Sequence, residues 1–251
     1  MSAENNPFAD LRFEDFRRLA ARDDLSRHEK VGFPNSYREG REPAIFDDVA
    51  SKVSAIRMRG KTILEIGPGC SDLPVMLADT CRENGSRVLF VDSEEMLAQL
   101  PSGGHIKKYP GAFPGALGPD KAELIGCVDA IVAYSVIQYV FVEDNLWGFV
   151  DVCLSLLADG GEALFGDIPN VTMRKRFFSG KSGEETHRQF TGEDSKPDVR
   201  FNQLEVGQMD DSVVLAIVMR ARAQGFHAWV LPQSPSLPMA NRREDILIRK
   251  P

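Results

Sequence analysis

The segment Glu65-Ile66-Gly67-Pro68-Gly69-Cys70-Ser71 has the strongest chemical character in the chain. Two glycines in three residues let a backbone turn sharply and leave bare peptide for a ligand to lie against. Asp92 comes 27 residues after Glu65, somewhat beyond the ~20-residue spacing of the dinucleotide fingerprint. A carboxylate there can accept both hydroxyls of a ribose. The fingerprint also needs a third glycine to seat a pyrophosphate on a helix N-terminus, and this chain has none at that spacing. Glu65 would repel a pyrophosphate. It suits a ligand bearing an ammonium or sulfonium group.

These residues need elements to hold them. TILEIG (62–67) is a short apolar run ending on glycine, the pattern of a buried parallel strand. SDLPVMLADTCRENG (71–85) reads as a helix capped by Ser71 or Asp72 and ended by Gly85. RVLFVD (87–92) is a second buried strand, and SEEMLAQL (93–100) a helix with Ser93 as its cap. A short third strand falls within 105–113, a fourth at 129–135 and a fifth at 162–168, with a helix over 145–161 between the last two. Alternating strands and helices imply a right-handed parallel α/β sheet.

Residues 169–210 show mixed charge and little periodicity, which predicts a lid-like insertion or binding loop. The spacing then predicts an amphipathic helix over 210–225 and two closing strands at 226–232 and 244–250. At the other end, residues 1–55 are polar and read as a helical cap. Phe13, Phe16 and Leu19 share helical spacing, as do Ile45, Val49 and Val53. Pro34 and two glycines keep RHEKVGFPNSYREG from being one continuous helix.

Composition narrows the function. The 251 residues carry 30 lysines and arginines against 37 acids, a net charge of −7. That disfavours a nucleic-acid binder. No apolar run reaches the roughly 18–20 residues of a membrane span, and the N-terminus lacks the apolar stretch of a signal peptide. Cys70, Cys81, Cys127 and Cys153 are scattered without a CxxC pair. They imply neither zinc nor disulfides, and a cytoplasmic location is the simplest reading. No His, Cys, Asp or Glu cluster has metal-ligand spacing.

The E-x-G-x-G turn and the acid ending the second strand resemble the class I S-adenosylmethionine-dependent methyltransferases. DAIVAYSVIQYV (129–140) is similar to that superfamily's fourth-strand motif and LADGGEALFGD (157–167) to its fifth. The resemblance covers residues 45–251. It implies an α/β, Rossmann-like seven-stranded sheet, mostly parallel with an antiparallel C-terminal hairpin and helices on both faces. Residues 56–251 would be the cofactor-binding domain. Many members carry a third glycine where this chain has Ser71. KVGFPNSYREG, IGPGCS, YSVIQYVF, GDIPNVTMRKRFF and LPQSPSLPMANRREDILIRK resemble, more narrowly, methyltransferases of bacterial surface-polysaccharide gene clusters.

The resemblance implies S-adenosylmethionine as cofactor. Gly67, Pro68, Gly69, Cys70 and Ser71 would wrap its methionine portion. Asp92 would hold the ribose, with Ser93 and Met96 near the adenosine and Ala112 and Phe113 flanking adenine. Tyr134 and Ser135 would sit near the transferred methyl. The acceptor would be a small molecule or saccharide hydroxyl, a poor nucleophile that benefits from a general base. His28, His187 and Asp167 are candidate bases, with Tyr134 and Tyr139 as orienting groups. Each has an ordinary alternative. His28 lies in a charged run, His187 can be a surface residue, Asp167 can cap a turn, and Tyr139 can pack in a core.

Arg174, Lys175, Arg176 and Lys181 surround Phe177 and Phe178. Arg174 and Arg176 could clamp a phosphorylated or nucleotide-linked sugar, or the run could be a solvated face beside two core phenylalanines. Two other classes stay open. One is a nicotinamide-dependent oxidoreductase, against which Glu65 and the missing glycine argue. The other is a non-catalytic interaction protein on the same fold.

Overall fold

The apolar runs become strands of one sheet in the computed structural model, which describes residues 11–251. The strands are β1 (Thr62–Ile66), β2 (Arg87–Asp92), β3 (Ile106–Pro110), β4 (Val128–Tyr134), β5 (Leu157–Pro169), β6 (His227–Pro232) and β7 (Arg243–Arg249). Their order is β3-β2-β1-β4-β5-β7-β6. β1 to β5 run parallel, and β7 is antiparallel to both β5 and β6. This is the expected seven-stranded sheet with its antiparallel hairpin. The chain reverses direction across the sheet between β1 and β4, so their C-terminal ends open a crevice.

All five residues of β1 are buried, because a parallel strand covered on both faces has no polar side. Alternation divides its neighbours between two cores. Leu64, Val91, Ile131 and Phe165 pack with Phe149, Cys153 and Ile217. Ile63, Phe90, Val132 and Leu164 pack with Ile45, Val49, Leu73 and Leu77. Each fully buried side chain of this size contributes about 1.5–3 kcal/mol.

The helices of the first half are α1 (Phe13–Ala20), α2 (Arg27–Lys30), α3 (Asn35–Arg38), α4 (Glu42–Lys52), α5 (Asp72–Glu83) and α6 (Glu94–Leu97). The first ten residues of the expected helical cap lie outside the described residues. α1 straddles the crevice. Arg17 grips Glu95 through Nε at 3.0 Å and Nη2 at 2.8 Å, on the β2 side. The Phe13 N–H donates to Glu143 Oε2 at 3.2 Å, on the β4 side. Gln99 ties in the same segment by donating to the Ala20 carbonyl and accepting from Lys30 Nζ, both at 2.9 Å.

The second half holds α7 (Asp120–Leu124), α8 (Ile137–Glu143), α9 (Leu146–Leu156), α10 (Val171–Phe178), α11 (Lys181–Thr191) and α12 (Asp211–Ala223). Two expectations need correction. The helix expected over 145–161 stops at Leu156, and 157–161 belongs to β5, whose register against β4 shifts between Val128 and Ala130. The 169–210 stretch is not irregular throughout, since α10 and α11 fill its first half. α10 starts because Asn170 Oδ1 accepts the N–H groups of Thr172 and Met173, a side-chain cap that periodicity alone does not reveal.

Candidate functional site

The glycine turn leaves β1 with Gly67 and Gly69 both at φ +65°. An added Cβ on Gly67 would fall 2.6 Å from Val136 Cγ2, and on Gly69 2.4 Å from Val31 Cγ1. Neither position accepts a side chain, on conformation or on space. The start of α8, at Val136, and the N-terminal segment, at Val31, therefore press against the turn, and glycine is what lets them.

Asp92 ends β2 beside this turn. Its Oδ2 accepts the Gly69 N–H at 2.9 Å and its Oδ1 the Ser93 N–H at 2.6 Å. Each oxygen keeps acceptor capacity for a further donor. Burial pushes this carboxyl up to about 6, against the lowering effect of the two backbone bonds. Glu65 is buried deeper, 2 % exposed, and its Oε2 has no hydrogen-bond partner. Burial, and then the charge of Asp92, push Glu65 up to about 8. A buried carboxylate oxygen without a partner is costly, and a cationic donor in the crevice would satisfy it.

The crevice opens to solvent at its mouth and is lined mainly by apolar and aromatic side chains with a few polar groups, the pattern of a small-molecule cleft. Its walls bring together Glu65, Gly67, Pro68, Gly69, Ser71, Asp92, Met96, Ala112, Phe113, Tyr134, Ser135 and Tyr139. Two of the expected cofactor residues stand behind the wall. Cys70 packs with Ala20 and Met96, and burial raises its thiol to about 11. Ser93 caps α6, its Oγ accepting the Met96 N–H at 3.3 Å. The N-terminal segment supplies Phe13, Phe16, Val31, Phe33 and Arg38 to the same walls, and the Phe16 ring meets the Tyr139 ring edge to face at 5.0 Å.

The inner end of the crevice is a charged network. Ser135 and Asp167 follow β4 and end the parallel part of β5, at φ +59° and +58°. Arg38 Nη2 donates to Ser135 Oγ at 3.0 Å and to Asp167 Oδ2 at 3.3 Å. Ser135 Oγ itself donates to Asp167 Oδ2. Arg243 Nη1 donates to Asp167 Oδ2 at 2.8 Å and to its carbonyl at 3.0 Å. Gln233 Nε2 donates to Asp167 Oδ1 at 3.3 Å. Behind them the Asp167 N–H donates to Asp245 Oδ1 at 2.8 Å, and Lys52 pairs with Asp245 at 2.7 Å. The Arg38 guanidinium lies 4.2 Å over the Phe33 ring and 5.5 Å over that of Tyr134.

Arg38, Gln233, Arg243 and Asp245 are the residues that sequence reasoning missed. Arg38 and Asp167 are 129 positions apart, and only folding joins them. Asp245 gave no local signal either, since it follows Arg243 and Glu244 at the charged start of β7, and its full burial appears only in the fold.

The remaining expected residues lie elsewhere. His187 faces a separate groove with Arg174 and Phe178, its Nε2 3.4 Å from Ser195 Oγ. His28 Nδ1 lies 3.3 Å from the buried Glu42 Oε1. The expected Arg174 and Arg176 clamp does not converge. Arg174 pairs with Glu205 at 2.8 Å and Arg176 with Asp211 at 2.5 Å, because acids from the following loop and from α12 fold onto the cluster.

Neither a protein-family model nor a curated protein sequence matches the chain. Solved structures do resemble its fold. The N-methyltransferase NodS from Bradyrhizobium japonicum, in complex with S-adenosyl-L-homocysteine, is 18% identical at TM-score 0.56. That match covers 95% of this chain and 98% of NodS. The plantazolicin methyltransferase BpumL, in complex with SAH, is 13% identical at TM-score 0.57, over 95% of this chain and 96% of BpumL. The CurJ carbon methyltransferase is 14% identical at TM-score 0.52. The match covers 95% of this chain but only 64% of the CurJ chain. At such identities the likeness carries the fold, a methyltransferase-type Rossmann-like sheet.

Proposed function

We propose that this protein is an S-adenosylmethionine-dependent methyltransferase acting on a small acceptor. The observation that carries the reading is the orphaned Glu65 Oε2 beside the Gly67–Gly69 turn and Asp92, all on one crevice wall. Two neighbours of the same fold hold S-adenosylhomocysteine, which supports the same ligand class here. A nicotinamide dinucleotide fits less well, since Glu65 would face its pyrophosphate.

Asp92 would take the ribose hydroxyls, and Glu65 the ligand's ammonium. Arg38 is the one cationic side chain on the crevice wall among the described residues, and it would meet the ligand's carboxylate. Met96, Ala112 and Phe113 would frame the base. The bound cofactor supplies an activated methyl on sulfur. The protein aligns the acceptor and excludes water, and α1 across the crevice mouth serves the second task.

Ser135 is on the crevice wall and its Oγ donates to Asp167 Oδ2 behind it, so the proton that leaves an acceptor hydroxyl as the methyl arrives would pass through Ser135 toward Asp167. Tyr139, on the same wall, would orient the acceptor. The His187 groove does not open onto this end. The polysaccharide-cluster resemblance suggests a saccharide hydroxyl as acceptor.

Calorimetry with S-adenosylmethionine and S-adenosylhomocysteine tests the reading. Micromolar binding of both is expected, and no heat at millimolar ligand would overturn it. Mass-spectrometric detection of a one-methyl gain on sugar nucleotides or polysaccharide fragments tests the acceptor class.

A further inference from the structure

The amphipathic helix expected over 210–225 turns out to have two apolar faces. Only Asp211, Ser212, Arg220 and Arg222 are polar among the 13 residues of α12. Val214, Ile217, Val218 and Ala221 are buried in the core that α12 shares with β5 and β7. The outer face is apolar as well. Leu215 is 55 % exposed and Met219 63 %, with Ala216 between them and Ala223 one turn beyond Met219. A helix that is apolar all round is ordinarily covered all round. Trp147 of α9, 38 % exposed, widens this face. Arg220 draws back from it, stacking 5.4 Å over the Trp147 ring and donating to Asp151 of α9 at 2.7 Å and 2.5 Å.

The charges at the two ends of α12 indicate what covers it. Asp210 caps the helix through Oδ1, which accepts the N–H groups of Ser212 and Val213, and among the described residues no cation pairs with it. Arg222 donates from Nε and Nη2 to the Ala228 carbonyl at 3.0 Å and 2.6 Å, a neutral acceptor, and among the described residues no carboxylate pairs with it. One end of the helix therefore carries an unpaired acid and the other an unpaired base, separated by about 18 Å at the helical rise. A surface of this kind is complementary to itself when turned end for end, the requirement of an isologous twofold contact.

We propose that the outer face of α12 is a homodimer interface, in which α12 packs antiparallel against α12 of a second copy and crosses it at Ala216. Ala216 lies midway between Asp210 and Arg222. A twofold axis there sets Arg222 of each copy beside Asp210 of the other, and a parallel pairing would set like charges together. The small side chain at the crossing lets the helices approach, and Leu215 and Met219 fill the space on either side, giving an apolar centre with a polar rim. No residue of α12 lines the crevice, so the interface stands independently of the methyl-transfer reading.

Sedimentation velocity of the full chain over a concentration series tests the interface. A reversible monomer–dimer equilibrium is expected. Leu215→Glu and Met219→Glu are each expected to weaken it at least tenfold with the helical circular dichroism unchanged. Arg222→Glu should weaken it by a similar factor, and adding Asp210→Asn, which keeps the cap, should recover part of the loss. Crosslinking reads the register, in a Cys127→Ser background because Cys127 is exposed. On oxidation Ala216→Cys should give a covalent dimer and Ala223→Cys should not, since only the crossing point brings equivalent residues within disulfide reach. A monomer at every concentration up to millimolar overturns the interface, as does a dimer that both glutamate variants leave intact. A monomer that co-sediments with phosphatidylglycerol vesicles, and is released by Met219→Glu, would give the face to a membrane instead. Crosslinking through Ala223→Cys alone would overturn the antiparallel register.

Discussion

Ser135 Oγ donates to Asp167 Oδ2 across the ends of two adjacent parallel strands, and both residues hold left-handed backbone conformations. Such conformations cost about 1–3 kcal/mol each in residues with a side chain and persist where surrounding contacts over-determine them. Here the contacts are visible. Arg38, Arg243 and Gln233 take the Asp167 carboxylate, and Asp245 takes its N–H.

The first prediction removes that charge alone. Asp167→Asn keeps a residue that tolerates positive φ but leaves Arg38 and Arg243 without their counter-ion. Breaking a buried pair of this kind costs about 3–5 kcal/mol. Denaturant unfolding should show a loss in that range, together with loss of methyl transfer. A change under about 1 kcal/mol would refute the assigned role.

A glycine prediction follows from the 2.4 Å approach of a Gly69 Cβ to Val31. Gly69→Ala should weaken S-adenosylhomocysteine binding by at least tenfold and lower stability, through the clash and a left-handed cost of about 1–2 kcal/mol. Gly69→Ala combined with Val31→Ala should recover part of the affinity, because the clashing methyl is gone. No recovery would mean that backbone conformation alone sets the requirement.

Titration of Glu65 gives a third. Its carboxyl is raised from the ordinary 4.5 to about 8 by burial and Asp92. The folded state therefore binds the proton more tightly than the unfolded one. Stability of the ligand-free protein should be unaffected by this group below pH 4.5, fall between pH 4.5 and 8, and level off above. Asp92, raised from 3.8 to about 6, adds a fall in its own window. Glu65→Gln should flatten the decline above pH 6 and weaken S-adenosylmethionine binding. At pH 7, binding an ammonium next to Glu65 should release roughly one proton, read by calorimetry in buffers of different ionisation enthalpy.

The Arg17–Glu95 pair latches α1 across the crevice, and Arg17 brings the Glu95 carboxyl down to about 2. That contribution is present above pH 4.5 and is lost as pH falls toward 2. Glu95→Gln should speed hydrogen exchange in residues 13–20 and S-adenosylhomocysteine release, with the global melting temperature little changed. Unaltered exchange there would mean that Phe13 and Phe16 hold the helix without the latch.

Much of this was present in local pattern. The strand and helix periods, the glycines of the turn and Asp92 lie within 31 consecutive residues, 62–92, and short-range sterics and apolar alternation make them readable. The sheet order agreed with the resemblance those motifs carry. The site's charged half was not readable. Arg38, Ser135, Asp167, Gln233 and Arg243 come from five separate segments, and no spacing rule connects them. Arg174 and Arg176 drew attention as a dense basic run, yet loop and helix acids fold back on them. Residue type and local period are set by neighbours in sequence. Whether a charge is matched, and whether a helix closes over a turn, depends on what folding brings within about 4 Å, the reach of an ion pair. The sequence by itself determined the sheet and its glycine turn. Tertiary structure decided which charges are matched, because their partners come from distant segments.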